Sequence, residues 1–434
     1  MDNEARIFAS ESLIQHSGPS LDTSELDIRD TDANDALHET QVAPPAAQRT
    51  IDSVPTELWA EIFAHYMPPY PQCPPLFGPS SPTILAQVCR RWRAVAHSLP
   101  MLWQAMELFR SKHHPKLQLK MARAWLAMSG TRPLSVLMHA LAEDDDGGAI
   151  PTPFLALDAI LRHRTRLEYA MLHLADEYEG KYRGRRFKDL MPVLRQLDLR
   201  CASNSDPLHT ILAQYTAPKL QTAFLRLDHL HSGNFAAPIL THCPRLPWAQ
   251  LTTLFLASFP FKLVFRILDQ TTALEHCRLR VTEDPRSPPP HTISLPRLKS
   301  LIVDDCPRIE TLLDMLRAPV LKRFCYRRYC AGRERLVAAL REVGCTLEWV
   351  HLRPAQYPRD EMTEEMWALR GAFSDVPNIV FARDGKAPLG KEVWGSDDWD
   401  LLEANRSRTT DTFADDEETV VFPAYDSDSD SARE

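Results

Sequence analysis

Eight times between residues 167 and 352 the chain repeats one six-residue pattern, Leu-x-x-apolar-x-apolar, and no other feature limits its fold so tightly. The copies start at Leu167 (LEYAML), Leu194 (LRQLDL), Leu220 (LQTAFL), Leu251 (LTTLFL), Leu274 (LEHCRL), Leu298 (LKSLIV), Leu321 (LKRFCY) and Leu347 (LEWVHL). Alternating apolar residues over so short a span read as a strand with one face turned inward. Successive first leucines lie 23–31 residues apart, and helical spacing fills many of the gaps, at 154–162, 208–215, 235–241, 263–269, 309–316 and 336–343. One such strand–helix unit cannot bury its apolar face alone. Stacked units can, with parallel strands and a shared core. LSVLMH from Leu134 reads as a degenerate first unit, and 361–373 with 378–382 as a closing helix and strand.

This period and pattern resemble the leucine-rich repeat, which implies an α/β solenoid, curved, with a concave strand face. The copies are divergent. Most lack the Asn or Cys that usually follows the strand, although Cys201 and Cys306 come near that position, and the chain has only 14 glycines against 35 prolines.

Ahead of the repeats stand two helical pieces. VPTELWAEIF at 54–63 opens on Val-Pro, where proline suits a first helical turn, and places Leu58, Ile62 and Phe63 on one face. ILAQVCRRWRAVAHSLPMLW at 84–103 reads as one longer amphipathic helix with a stripe of Leu85, Val88, Cys89, Trp92, Val95 and Ala96, closed by Leu102 and Trp103. About 50 residues with so small a core call for a partner. The stretch resembles an F-box, the module that docks a Skp-type adaptor of cullin-RING ubiquitin ligases. The family's opening Leu-Pro stands here as Val54 and Pro55, its acid and aliphatic as Glu57 and Leu58, and its Ile-Phe pair as Ile62 and Phe63. Its second helix matches at Leu85, Val88, Cys89, Arg90 and Trp92, and its closing pair at Leu102 and Trp103. Val54 and a proline-rich insertion at 68–82 depart from the family. The insertion reads as a lengthened loop of small entropic cost. A further helix, 116–127, has Leu117, Met121, Ala124, Trp125 and Met128 on one side.

The expected organisation is an acidic disordered segment (1–50), the F-box-like module (51–105), a linker helix (106–130), the solenoid with its cap (131–382) and an acidic, mostly disordered tail (383–434). The net charge of −8 conceals a partition. Residues 1–40 hold ten acids and two bases and residues 382–434 fifteen and six, so the body between is near +9. The tail also holds an apolar island (Trp394, Trp399, Leu401, Leu402) and serines among aspartates (Ser427, Ser429, Ser431) open to phosphorylation. Nine scattered cysteines argue for a reducing compartment, cytoplasmic or nuclear. There is no apolar run long enough for a membrane span and no secretory start.

No glycine-rich phosphate loop or framed nucleophile is present. Cys325, Cys330, Cys345, His113 and His114 lack metal-ligand spacing. The chain is read as non-catalytic and without a cofactor. The strand register supplies the candidate binding site. Six positions beyond each first leucine stand His173, Arg200, Arg226, Ala257, Arg280, Asp304, Arg327 and Arg353, one per strand, and the neighbouring inward column holds Met171, Asp198, Phe224, Phe255, Arg278, Ile302 and His351. An arginine ladder beside Phe224 and Phe255 suits an acidic or phosphorylated segment with one or two apolar anchors. The expected role is substrate recognition for an SCF-type ligase, with an unknown protein target. The alternative is a repeat scaffold outside any ligase. Nucleic acid is the least favoured partner, and the basic run KYRGRRFK (181–188) reads as a solvated loop.

Overall fold

The first leucines of the repeat are among the most deeply buried residues of the protein. Leu167, Leu194, Leu220, Leu251, Leu274, Leu298 and Leu321 each keep no more than 2% of their surface exposed, and only Leu347, near the end of the array, is partly buried. The structure, a computed structural model, describes residues 54–109, 114–139, 152–174, 190–201, 216–227, 246–282, 291–329, 333–353 and 364–381. The helices expected at 208–215 and 235–241, the basic run 181–188 and both acidic ends lie outside these residues.

The strands are β1 (Ala105–Leu108), β2 (Leu134–Met138), β3 (Leu167–Leu174), β4 (Gln196–Cys201), β5 (Thr222–Leu227), β6 (Thr253–Phe259), β7 (His276–Val281), β8 (Ile293–Ser294), β9 (Ser300–Asp305), β10 (Leu316–Arg317), β11 (Arg323–Tyr329), β12 (Trp349–Arg353) and β13 (Asn378–Phe381). Eleven form one sheet in chain order, all parallel, while β8 and β10 pair separately. All eight copies of the repeat and the degenerate unit at Leu134 are strands of this sheet. Between them stand helices at Thr152–Leu161, Phe261–Leu268, Ile309–Asp314, Arg333–Glu342 and Glu364–Ala372. Their inward residues, among them Leu157, Ile267, Leu313, Leu340 and Leu369, join a single core with the first leucines and the alternate strand residues. Among the described residues these helices thus cover one face of the sheet, and the opposite face, which they leave, is referred to as the open face.

Five of the repeat strands are entered through the same turn. Leu194, Leu220, Leu274, Leu298 and Leu321 donate their amides to the carbonyls of Met191, Ala217, Thr271, Leu295 and Ala318, three residues back. Four of these turns carry proline second, at Pro192, Pro218, Pro296 and Pro319, where its fixed φ suits a β-turn. Proline thus performs here the punctuation that glycine performs elsewhere. After each leucine the next carbonyl ladder is shared. Thr252 O accepts the amides of both Glu275 and His276, and Lys299 O those of Lys322 and Arg323.

The N-terminal helices are α1 (Thr56–Tyr66), α2 (Pro82–Val88), α3 (Arg90–Ser98) and α4 (Pro115–Met128). Three readings are corrected. The segment expected as one helix breaks at Cys89, whose backbone is extended (φ −154°, ψ 172°). The helical phase is lost there, so Val88 and Cys89 face solvent instead of continuing a buried stripe. The buried face of α4 is Gln118, Leu119, Met121, Ala122, Trp125 and Leu126, while Leu117 is exposed. And the sheet starts at Ala105, inside the stretch assigned to module and linker. There is no separate module core. Trp59, Phe63, Val95 and Trp103 belong to the same apolar cluster as the sheet, and the Trp103 and Trp125 rings meet edge-on at 5.3 Å.

Candidate functional site

Two surfaces carry the candidate residues. On the helical module, α1 has two apolar sides. Trp59 and Phe63 turn inward, and the Trp92 ring lies against both, at 4.7 and 5.0 Å between centroids. Tilted aromatic contacts of this kind add to area burial. One residue away from each, Leu58 is 55% and Ile62 50% exposed. On α2 Leu85 is buried, while Ile84 is partly and Val88 57% exposed. Both helices therefore turn an i, i+4 aliphatic pair to solvent. Pro55 is not the first helical residue but the N-cap of α1, exposed like Glu57. Val54 is partly buried and accepts a hydrogen bond from Arg91 through its carbonyl.

Cys89 caps α3, its Sγ accepting the Trp92 amide at 3.3 Å. Across the break Arg93 Nε donates to Ala86 O at 2.8 Å, satisfying a last-turn carbonyl of α2. Phe63, Leu85, Leu102 and Trp103 are 0–5% exposed. They support the surface from beneath, and direct contact with a partner is closed to them. Trp103 also donates its indole N–H to Ala96 O at 2.8 Å.

The insertion at 68–82 is a strap, not a free loop. Pro74 O accepts the Glu107 amide at 2.9 Å, and Pro75 bridges β1 in parallel, which covers the edge of the sheet. Ser135 donates its hydroxyl to Pro71 O at 2.6 Å. Tyr70 donates to Glu168 Oε2 at 3.0 Å and sets its ring edge-on against Tyr169. Burial, then the Glu168 carboxylate, raise the Tyr70 phenol above its usual range. Cys73 is buried against Ser135, its thiol pushed up to about 12 by burial. The strap lies over the open face at β2 and β3. A tyrosine and a cysteine among the prolines, where a mere spacer would carry glycine and serine, were the sequence signal of its packing.

The open face carries the repeat columns in register. Met171, Asp198, Phe224, Phe255, Arg278, Ile302, Cys325 and His351 pair strand by strand. His173, Arg200, Arg226, Ala257 and Arg280 do the same, so the ladder forms from β3 to β7. At β9 the register shifts and Asp305 stands opposite Arg280. The ladder also spends Arg327 internally. Asp304 binds Arg278 Nε at 2.8 Å and Arg327 Nη1 at 3.2 Å, with all three side chains at most 17% exposed. Arg327 is therefore removed from the set of ligand-binding residues, because its charge is already met by a largely buried carboxylate. The Arg353 side chain lies outside the described residues, and Arg200, Arg226 and Arg280 are all partly buried.

Beside them the Phe224 and Phe255 rings meet edge-on at 6.1 Å, and the Arg278 guanidinium sits 4.9 Å over Phe255, a cation–π contact. Cys325, between Arg278 and His351 in the column, has its thiol pushed up to about 12 by burial. At the strapped end Glu107 and His139, both about 95% buried, pair at 2.9 Å. Sequence reading missed this pair, because β1 is only four residues long.

Among the described residues no group of three or more His, Cys, Asp or Glu is placed to hold a metal, and no helix is long and apolar enough to cross a membrane. No family model matches the chain, and none of the curated proteins matches it.

Proposed function

We propose that this chain is the substrate-recognition subunit of an SCF-type cullin-RING ubiquitin ligase. The helical module docks a Skp-type adaptor, and the open face of the sheet holds the target. One observation carries the reading. Leu58 and Ile62 on α1 and Val88 on α2 are at least half exposed on helices whose opposite sides are fully packed. Aliphatic pairs at i, i+4 are what a helix presents to an apolar groove, and the F-box resemblance assigns adaptor contacts to the same residues. The chain itself does no chemistry in this reading. It raises the local concentration of the target at machinery held by other subunits, a proximity effect.

The shared core of module and sheet supports the role, since a rigid body fixes the target relative to the adaptor. Arg200, Arg226 and Arg280 along the ladder favour an acidic or phosphorylated target segment; Phe224 and Phe255, each 3% exposed, support that surface from beneath and are withdrawn as direct anchors. Affinity purification of the full-length protein tests the reading. Adaptor and cullin should co-purify, and should be lost on Ile62→Lys. Purification without either under conditions where the protein is folded would favour the scaffold alternative.

A further inference from the structure

We propose that the C-terminal end of the array is an interface at which two copies of this chain join about a two-fold axis. The two ends of the sheet are finished differently. At β1 the strap covers the edge, with Pro75 bridging the strand. At the other end β13 has one neighbour among the described residues, β12. Asn378 gives its amide to Glu348 O, so the Ile379 amide, alternate to it, turns outward. Exposed edges are ordinarily blunted by charge or proline, and the β13 sequence Asn-Ile-Val-Phe has neither. Val380 is 43% exposed, and Ile379 and Phe381 are only partly buried at the end of the core. The last helix, Glu364–Ala372, is unfinished in the same way. Met366 and Leu369 are buried. Ala372, whose carbonyl accepts from Arg341 of the preceding helix at 3.4 Å, marks the flank towards the array. Trp367, Arg370 and Gly371 lie on the other flank, where a further repeat would stand. Trp367 is 59% exposed there, more than any other large apolar side chain among the described residues.

A second copy fits this end because the charges on it are self-complementary, as an interface closed by a two-fold axis requires. Glu364 and Arg370 stand three residues to either side of Trp367, and both are exposed. Among the described residues neither is engaged in an ion pair. In an antiparallel helix pair centred on Trp367, each Glu364 meets Arg370 of the partner subunit, and the two indoles meet at the axis. Gly371, one turn on, has nothing within 4 Å of where a side chain would start, which leaves room for the second ring. An axis normal to the sheet also sets the two β13 edges antiparallel. The same operation therefore continues the sheet from one copy into the other and leaves no open edge at this end. The helical module packs at the β1 end and lies outside this interface, so the association is independent of the function proposed above.

The test is sedimentation equilibrium of the full-length protein at concentrations up to about 100 μM. The unaltered chain should reach a mass twice its own 49.4 kDa. Trp367→Glu should weaken association at least about a hundredfold. Glu364→Arg alone and Arg370→Glu alone each set like charges against one another at both contacts, and each should weaken it at least about tenfold. Mixed together, these two charge variants should recover the dimer, since every cationic side chain then meets an anionic one. Melting curves verify that each variant is folded. A monomer throughout the concentration range, a dimer insensitive to Trp367→Glu or to the single charge reversals, or a mixture of the two charge variants that stays monomeric overturns the proposal. Ile62→Lys should leave the dimer intact while abolishing adaptor co-purification, so the two readings fail separately.

Discussion

The two sides of α1 give opposite predictions for substitutions only a few residues apart in role. In Leu58→Glu with Ile62→Lys, about half of each side chain is already exposed. Full burial of such a side chain contributes roughly 1.5–3 kcal/mol, so the fold loses about 1 kcal/mol per site. The new Glu–Lys pair at i, i+4 returns about 0.2–0.5 kcal/mol. Tm should therefore fall by no more than about 4 °C. A docked adaptor would bury the outer halves, again roughly 1 kcal/mol each. Their loss alone weakens binding about 30-fold, and forcing two charges into an apolar groove takes the loss beyond about 100-fold.

Trp103→Ala should do the reverse. The ring is 1% exposed, so its removal leaves a cavity costing about 3–5 kcal/mol, which lowers Tm by on the order of 6–12 °C. Adaptor binding by the folded fraction should change little. Calorimetry and biolayer interferometry on the same preparations separate the two. Full adaptor affinity in the Leu58→Glu, Ile62→Lys protein refutes the docking face. An unchanged Tm in Trp103→Ala refutes the shared core.

Three further outcomes follow from the geometry. His276, whose pKa burial lowers to about 4 and whose Nδ1 lies 2.6 Å from Ser300 Oγ, is held neutral in the fold. The unfolded chain takes up the proton first, so stability should decline by up to about 3 kcal/mol as pH falls from about 6.5 to 4. A His276→Gln variant should lack this component in urea titrations, and an identical pH profile in both proteins would sink the assignment. Asp304→Asn should cost about 3 kcal/mol by taking the shared carboxylate from Arg278 and Arg327. Combined Arg278→Met, Asp304→Leu and Arg327→Met should recover most of it, and no recovery would mean that the shared carboxylate is not the source of the loss. Tyr70→Phe should loosen the strap by about 1–2 kcal/mol, seen as roughly tenfold faster hydrogen exchange at the Glu107 amide with the β5 and β6 amides unaffected. Unchanged exchange there would show that the Glu168 contact does not hold the strap.

Much of this protein was legible in its sequence because a period is a one-dimensional quantity. Eight leucines at 23–31-residue intervals, each followed by alternating apolar positions, determine that the strands are parallel and which residue of each faces the core. Registering strand on strand then follows from the shared turn, so the columns Met171 to His351 and His173 to Arg280 could be written down unaided. The spacing also put Leu58, Ile62 and Phe63 on one face of α1, but the structure splits them: Leu58 and Ile62 face solvent, while Phe63 packs inward against Trp92 with Trp59.

What only the tertiary structure decided are the places where residues distant in sequence meet. A helical stripe carried through Cys89 is the natural reading of periodicity, but the Arg93 contact to Ala86 O satisfies the broken end and permits the phase change. A proline-rich insertion reads as a spacer until Pro74 is found to accept from Glu107 and Tyr70 to reach Glu168, ninety-eight residues away. An arginine column reads as five free charges until Asp304 takes Arg327 across the strands. Hydrogen bonds and ion pairs between distant segments leave no period in the chain, so composition and spacing are silent about them.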